Sequence, residues 1–271
     1  MLRELLGFQG GGAYPALMYH AVDEADGQPE SEDYTVTSEV FERHLGLLAA
    51  SGREGFPLAR MMAGEVSPPS GSVAMLTFDD GFESVLTRAA PLLSKHGFGA
   101  VLFITTEKIG QPGYLSEAQV QRLLGEGIVV GAHGATHRYL ADLPLGELRR
   151  ELDESKARLE ALVGYRVAWM SGPGGRVDAR VVMEARRAGF RCVFGSRPGL
   201  IPAQDPPDIL PRVAVTRRIS DEALGGLLRA APSAWAREVA RYEALALPKR
   251  VLGNQGYEAL RRTILAKTRG G

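Results

Sequence analysis

The 271-residue chain contains a single cysteine, Cys192, so no internal disulfide can form. A disulfide-stapled fold and a cysteine-type zinc finger are thereby excluded. No apolar run approaches ~20 residues, so no spanning helix is predicted. The opening stretch from Met1 to Tyr14 lacks the long apolar core of a secretory signal, and Gly10, Gly11 and Gly12 interrupt it. The expected compartment is the cytoplasm. Net charge is also lacking, with 32 basic residues balanced by 32 acidic ones. Nucleic-acid binders are usually basic, so no nucleic-acid partner is expected. Histidine is scarce: there are five, and none follows His137.

What is present is ordinary globular composition, 45% hydrophobic and 24% charged. A chain of this length can bury a full core without a staple. Charge is unevenly spread. Asp23 to Glu42 carries eight acids and no base, whereas Arg217 to Gly271 carries eleven bases against five acids. There is no internal repeat and no low-complexity tract.

Strand-like and helix-like segments alternate. Ala16 to Tyr19 reads as a short buried strand. Ser38 to Ala50 reads as a helix with Ser38 as N-cap and Phe41, Leu45 and Leu48 on one face. Val66 to Gly71 is a loop by composition, and Val73 to Phe78 is an apolar strand running into Asp79-Asp80-Gly81. Helix Glu83 to His96 then stops at Gly97, and strand Ala100 to Thr105 follows. Helix Ser116 to Leu124, with a Ser116/Gln119 capping box, stops at Gly125 before strand Ile128 to Ala132. Helix Leu145 to Val163 stops at Gly164 before strand Val167 to Met170. Helix Asp178 to Ala188 stops at Gly189 before strand Arg191 to Gly195. A last strand, Ile209 to Val215, precedes helical segments.

This alternation predicts an α/β fold with about seven parallel strands. Continuous apolar strands mean burial on both faces. An irregular (β/α) barrel is the first choice and an open doubly wound sheet the second. Residues 1–215 are expected to form the barrel, and 216–271 a helical C-terminal extension packed on it.

Active sites of such folds lie at the carboxyl ends of the strands. His20 follows the first strand, Asp79-Asp80 the second, and His133 and His137 the strand ending at Ala132. Ser171-Gly172-Pro173-Gly174-Gly175 follows Trp169-Met170, and Arg212 follows Ile209-Leu210-Pro211. Two histidines and one carboxylate with open positions make a catalytic metal site. Asp79 or Asp80 can supply that carboxylate, leaving the other as general base. No Glu follows His133, so the zinc-protease pattern His-Glu-x-x-His is absent. Taken singly, an Asp-Asp-Gly is a turn and a His-x-x-x-His a surface pair. Their coincidence at strand ends favours chemistry. His44, in a helix, and His96, at a helix end, read as structural, and Cys192 as a small buried residue.

These motifs resemble the polysaccharide deacetylase family, the NodB-homology domain of carbohydrate esterase family 4. Thr77-Phe78-Asp79-Asp80-Gly81 matches its first motif throughout. His133-Gly134-Ala135-Thr136-His137 matches its second, with Gly134 in place of the usual Ser or Thr. Tyr19-His20 resembles a Tyr-His pair of one branch. The resemblance runs from about Ala16 to Val215. It implies a metal-dependent hydrolase that removes an N-acetyl group from an N-acetylhexosamine in a polysaccharide, oligosaccharide or lipid-linked sugar. It further implies Asp80, His133 and His137 as ligands of a divalent cation, most readily zinc, with cobalt, nickel or iron also suited, and Asp79 as general base.

Two departures stand out. Pro173-Gly174-Gly175 matches the Pro-x-Gly part of the family's third motif, but Ser171 stands where an arginine often precedes it. Asp79 is thus expected to lack its usual partner, and Gly174 to leave a roomier pocket. The family's late histidine acid has no counterpart. By elimination His20 becomes the proton donor or a substrate contact. Arg212 is assigned either to orienting Asp79 or to an anionic substrate group. Ser171, Trp169, Pro173 and Gly174 are candidates for the pocket wall. An amidohydrolase acting on a non-sugar amide would use the same residues. A non-catalytic glycan-binding module on this scaffold is the further alternative, which the two departures favour and the Asp79-Asp80 pair opposes. Near the C-terminus Tyr257, Leu260, Ile264 and Leu265 share a helix face ringed by Arg261, Arg262 and Lys267. Such a helix suits peripheral contact with an anionic membrane or packing on the barrel. Oligomeric state is left open.

Overall fold

The computed structural model describes residues 12–23, 33–68 and 73–244. Among the described residues seven parallel strands form the curled sheet: β1 (Ala13–Tyr19), β2 (Val73–Phe78), β3 (Ala100–Ile104), β4 (Ile128–Ala132), β5 (Trp169–Ser171), β6 (Cys192–Phe194) and β7 (Val213–Ala214), with a two-residue strand, Glu54–Gly55, also parallel beside the start of β2. They pair in the spatial order β7-β1-β2-β3-β4-β5-β6. The segment leading into β7 also touches the opposite end, because Leu210 bridges in parallel to Phe194 of β6. One stretch of chain therefore meets both ends of the curled sheet, as the irregular barrel requires. A short strand, Leu200–Pro202, pairs antiparallel with the start of β1 and had no counterpart in the sequence reading.

Helices fill the connections: α1 (Ser38–Ala50), α2 (Leu58–Ala63), α3 (Ala90–His96), α4 (Glu117–Arg122), α5 (Leu145–Val163), α6 (Ala179–Arg187) and α7 (Asp221–Leu228). The cap of α1 is Thr37, one residue ahead of the expected Ser38. Thr37 has the extended backbone a cap needs and its side chain accepts from Val40 N, while the Ser38 N–H and hydroxyl turn back to Asp23. The capping box of α4 forms between Ser116 and Gln119. Gly125 does not end that helix. The chain tightens to a 3₁₀ turn over Leu123–Glu126 and stops at Gly127, whose φ of 76° an L-residue seldom adopts. Ahead of α3 the helix widens to π geometry over Val85–Ala89, next to Pro91, which has no N–H to give.

Side chains of a strand alternate between faces. Helix-facing Leu76, Phe78, Leu102, Val130 and Met170 belong to the outer core. Met75, Val101, Phe103, Val129, Trp169 and Phe194 fill the barrel interior. Gly131 shares that inward register, and a Cβ there would lie 2.5 Å from the Phe103 ring, so glycine makes room for the phenylalanine. Continued by steps of two, the inward register reaches Ser171 at the end of β5 and, just past their strands, His20, Asp79 and His133. The strand period thus aims those four side chains at the mouth of the barrel.

α7 lies against α1, tied by an Arg43–Asp221 ion pair of 2.9 Å. Residues 232–244 are helical, and Trp235 is buried with Nε1 donating to Leu227 O. Among the described residues no helix is long and apolar enough to cross a membrane. The proposed amphipathic face with Tyr257, Leu260, Ile264 and Leu265 lies outside the described residues.

Candidate metal centre

The turn after β2 breaks the alternation. Asp80 and Gly81 both take positive φ, 77° and 94°, and Asp80 O accepts from Thr105 N. A continued strand would send neighbouring carboxylates to opposite faces. The turn instead brings both to one imidazole. His133 Nε2 lies 3.4 Å from Asp80 Oδ1 and 4.0 Å from Asp79 Oδ2. The 133–137 turn needs positive φ at Gly134 and at His137, and it returns His137 Nε2 to 3.0 Å from Asp80 Oδ1.

His133 Nδ1 donates to Ser171 O at 3.0 Å, which leaves the lone pair on Nε2. Burial pushes this imidazole down to about 4, so it is neutral at neutral pH. Asp80 behaves oppositely. Burial alone would raise its carboxyl, but the nearby histidines outweigh that and hold it well below the usual range. Its Oδ1 is buried and accepts no hydrogen bond, despite the short approach of His137. Three electron-pair donors, from Asp80, His133 and His137, therefore lie within 4.8 Å of one another. Such convergence is costly without a positive charge between the donors, and a divalent cation supplies one. The residues present fit a metal ion.

Asp79 sits beside this cluster, 3% exposed. Arg212 holds it with both arms, NH1 to Oδ1 at 2.7 Å and NH2 to Oδ2 at 2.9 Å. Burial would raise the Asp79 carboxyl, yet Arg212 and then His133 overcome it and keep the group ionised. The guanidinium also donates to Gly195 O, Thr77 Oγ1 and Ser171 Oγ, and it faces the rings of Phe103 and Phe194. Thr77 in turn donates to Leu17 O.

Four expectations are corrected. Asp79 does not lack an arginine, because β7 brings one across the barrel to where Ser171 leaves space. Arg212 and Ser171 are 0% exposed, so neither offers surface to a substrate, and both act behind Asp79. Trp169 is likewise interior, donating from Nε1 to Met61 O. Pro173 is buried and Gly174 exposed. The roomier floor at Gly174 is not found, since a Cβ there would meet the Tyr139 ring at 2.7 Å. Arg176 stacks on that same ring, 3.6 Å from its centroid.

His20 completes the rim. Its ring stacks on Tyr34 with centroids 4.5 Å apart, its Nδ1 is buried without a hydrogen-bond partner, and it lies near enough to act electrostatically on Asp79 and Asp80. Tyr34 and Tyr139 were missed because a lone tyrosine in a loop carries no positional signal. His44 is buried in α1 against the Tyr19 hydroxyl, as a structural reading requires.

Residues 67–193 match the family model described as polysaccharide deacetylase. The Bacillus subtilis protein YxkH is 26% identical over 216 residues, which cover 79% of this chain and 75% of YxkH. Among solved structures, the Streptococcus pyogenes deacetylase PplD in complex with acetate is 21% identical with a TM-score of 0.68, covering 79% of this chain and 96% of that one. BC0361, a polysaccharide deacetylase from Bacillus cereus, is 24% identical with a TM-score of 0.68, covering 84% and 69%. At those identities the two structures show a common fold. The aspartate pair, both histidines and the strands that carry them fall inside the stretch, just under half of the chain, that matches the polysaccharide deacetylase family model.

Proposed function

We propose that the protein is a metal-dependent N-deacetylase, hydrolysing the acetamide of an N-acetylhexosamine in a polysaccharide, oligosaccharide or lipid-linked sugar. The observation that carries this reading is the three-donor cluster with an arginine-locked carboxylate at its side. Asp80, His133 and His137 would hold a divalent cation, zinc first, with cobalt, nickel or iron as alternatives. When bound, such a cation acidifies water and polarises the acetamide carbonyl.

Asp79 takes the proton as the water oxygen adds to the carbonyl carbon. Arg212 keeps that carboxylate ionised and fixes its orientation. In the Pro173–Gly175 turn, Gly175 N–H and Arg176 N–H are spent within the turn, leaving the exposed Gly174 N–H as its donor to the developing oxyanion. His20 delivers a proton to the leaving nitrogen as the C–N bond breaks. The products are acetate and a free amine. PplD was solved with acetate, the expected product. A non-catalytic module would have no use for a base held by a buried arginine. The pairing of Arg212 with Asp79 removes one of the two departures that favoured that reading.

The test is acetate release from a panel of N-acetylated oligosaccharides, repeated after chelation and metal add-back. Release that chelation stops and metal restores is expected. Sugar binding with no acetate released in any metal would overturn the reading in favour of a module. Acetate release confined to non-sugar amides would reassign the substrate.

A further inference from the structure

Among the described residues the mechanism leaves two buried carboxylates unused: Glu184, which is paired with Arg149 and Arg187, and Glu151. Glu151 is 5% exposed and sits on the inner face of α5, in a stripe with Leu148, Leu152, Ser155 and Leu159. An unpaired carboxylate there would be expensive. Glu151 is instead filled by donors from the turn between the two histidines. Its Oε2 accepts from Ala135 N at 2.7 Å and Thr136 N at 3.0 Å, and its Oε1 accepts from the Thr136 hydroxyl. The opposite side of the turn is held as well, since Gly134 O and Ala135 O accept from Thr106 N and Glu107 N. Gly134 permits the close approach, because a Cβ there would come within 3.1 Å of Glu151 Oε2.

This turn is not one the backbone would keep alone. Gly134 and His137 both have positive φ, and for a non-glycine residue that conformation has to be imposed by its surroundings. We propose that Glu151 is the positioning residue of the ligand turn: by clamping the backbone between His133 and His137 it sets the separation and aim of the two imidazoles. The inference rests on the metal-centre reading given above. Groups that orient metal ligands typically change metal affinity 10–100-fold when removed.

Chelated protein titrated with cobalt(II), read by visible absorption, tests it alongside the thermal midpoint of the metal-free protein. Glu151→Ala is expected to bind cobalt at least about tenfold more weakly, with an altered band. Glu151→Gln should restore both, because one amide oxygen can accept both N–H groups while the amide nitrogen donates to the Thr136 hydroxyl. A purely structural Glu151 would lower the metal-free midpoint and leave affinity and spectrum unchanged, which overturns the proposal. If Glu151→Ala does not fold, Thr136→Val removes one of the three bonds: weaker cobalt binding supports the clamp, and unchanged binding overturns it. Wild-type protein that binds no cobalt would instead overturn the metal-centre reading itself.

Discussion

Arg212 and Asp79 form a two-armed ion pair closed off from solvent, joining residues 133 positions apart in the chain. Charges so placed are costly unless each satisfies the other, and here the guanidinium spends its remaining donors on Gly195, Thr77 and Ser171. The pair joins the residue after β2 to the residue just ahead of β7, the last parallel strand. It therefore serves the curl of the sheet as well as the state of the carboxylate.

Removal of one partner leaves the other buried and uncompensated. Arg212→Met should cost about 3–5 kcal/mol of stability, measured by denaturant unfolding. Arg212→Lys should recover part of that but not the two-armed geometry. In Arg212→Met, if it folds, the main influence lowering the Asp79 carboxyl is gone, so the acid limb of kcat/KM should move to higher pH, and by less in the charge-keeping Arg212→Lys. An unmoved acid limb would mean that Asp79 is not the titrating base.

The same pair shows what the sequence could and could not reveal. Asp79, Asp80, His133 and His137 were legible because short motifs sit where strands end, and the two-residue strand period then aims them. Arg212 was legible as one residue able to orient Asp79, but the choice between that role and an anionic substrate group was not, because it depends on how β7 closes the sheet. The cap at Thr37 rather than Ser38, and the stop at Gly127 rather than Gly125, are shifts of one or two residues that depend on local backbone competition. Glu151 did leave a signal, a carboxylate amid the leucines of an amphipathic helix.

His20 carries the proton-donor role by position and elimination. Replacing it with glutamine should lower turnover about 10²–10⁴-fold, the usual weight of a general acid, while bound metal stays at the wild-type level. Acetate assays paired with metal analysis read the two effects separately. Undiminished turnover would remove the assignment.

His44 offers a test of the fold away from the site. It is 1% exposed, and burial lowers its imidazole to about 4 from about 6.5 in a free chain. Asp221 favours its charged form and Arg43 opposes it, but neither reverses the effect of burial. Below pH 6.5 the unfolded chain gains a proton that the folded protein refuses. Stability from this residue is therefore complete above that pH and is lost as pH falls toward 4, by up to about 3 kcal/mol. His44→Leu should flatten the pH dependence of the unfolding free energy across that window. An identical slope in the variant would contradict the assignment.

The central claim is that Asp80, His133 and His137 share one divalent cation while Asp79 does not bind it. Metal content of the purified protein after exposure to zinc and removal of excess tests this most directly. About one equivalent is expected in the wild type and in Asp79→Asn, and a clear loss in Asp80→Ala and His137→Ala. Full occupancy in the last two variants, or none in the wild type, would contradict the account.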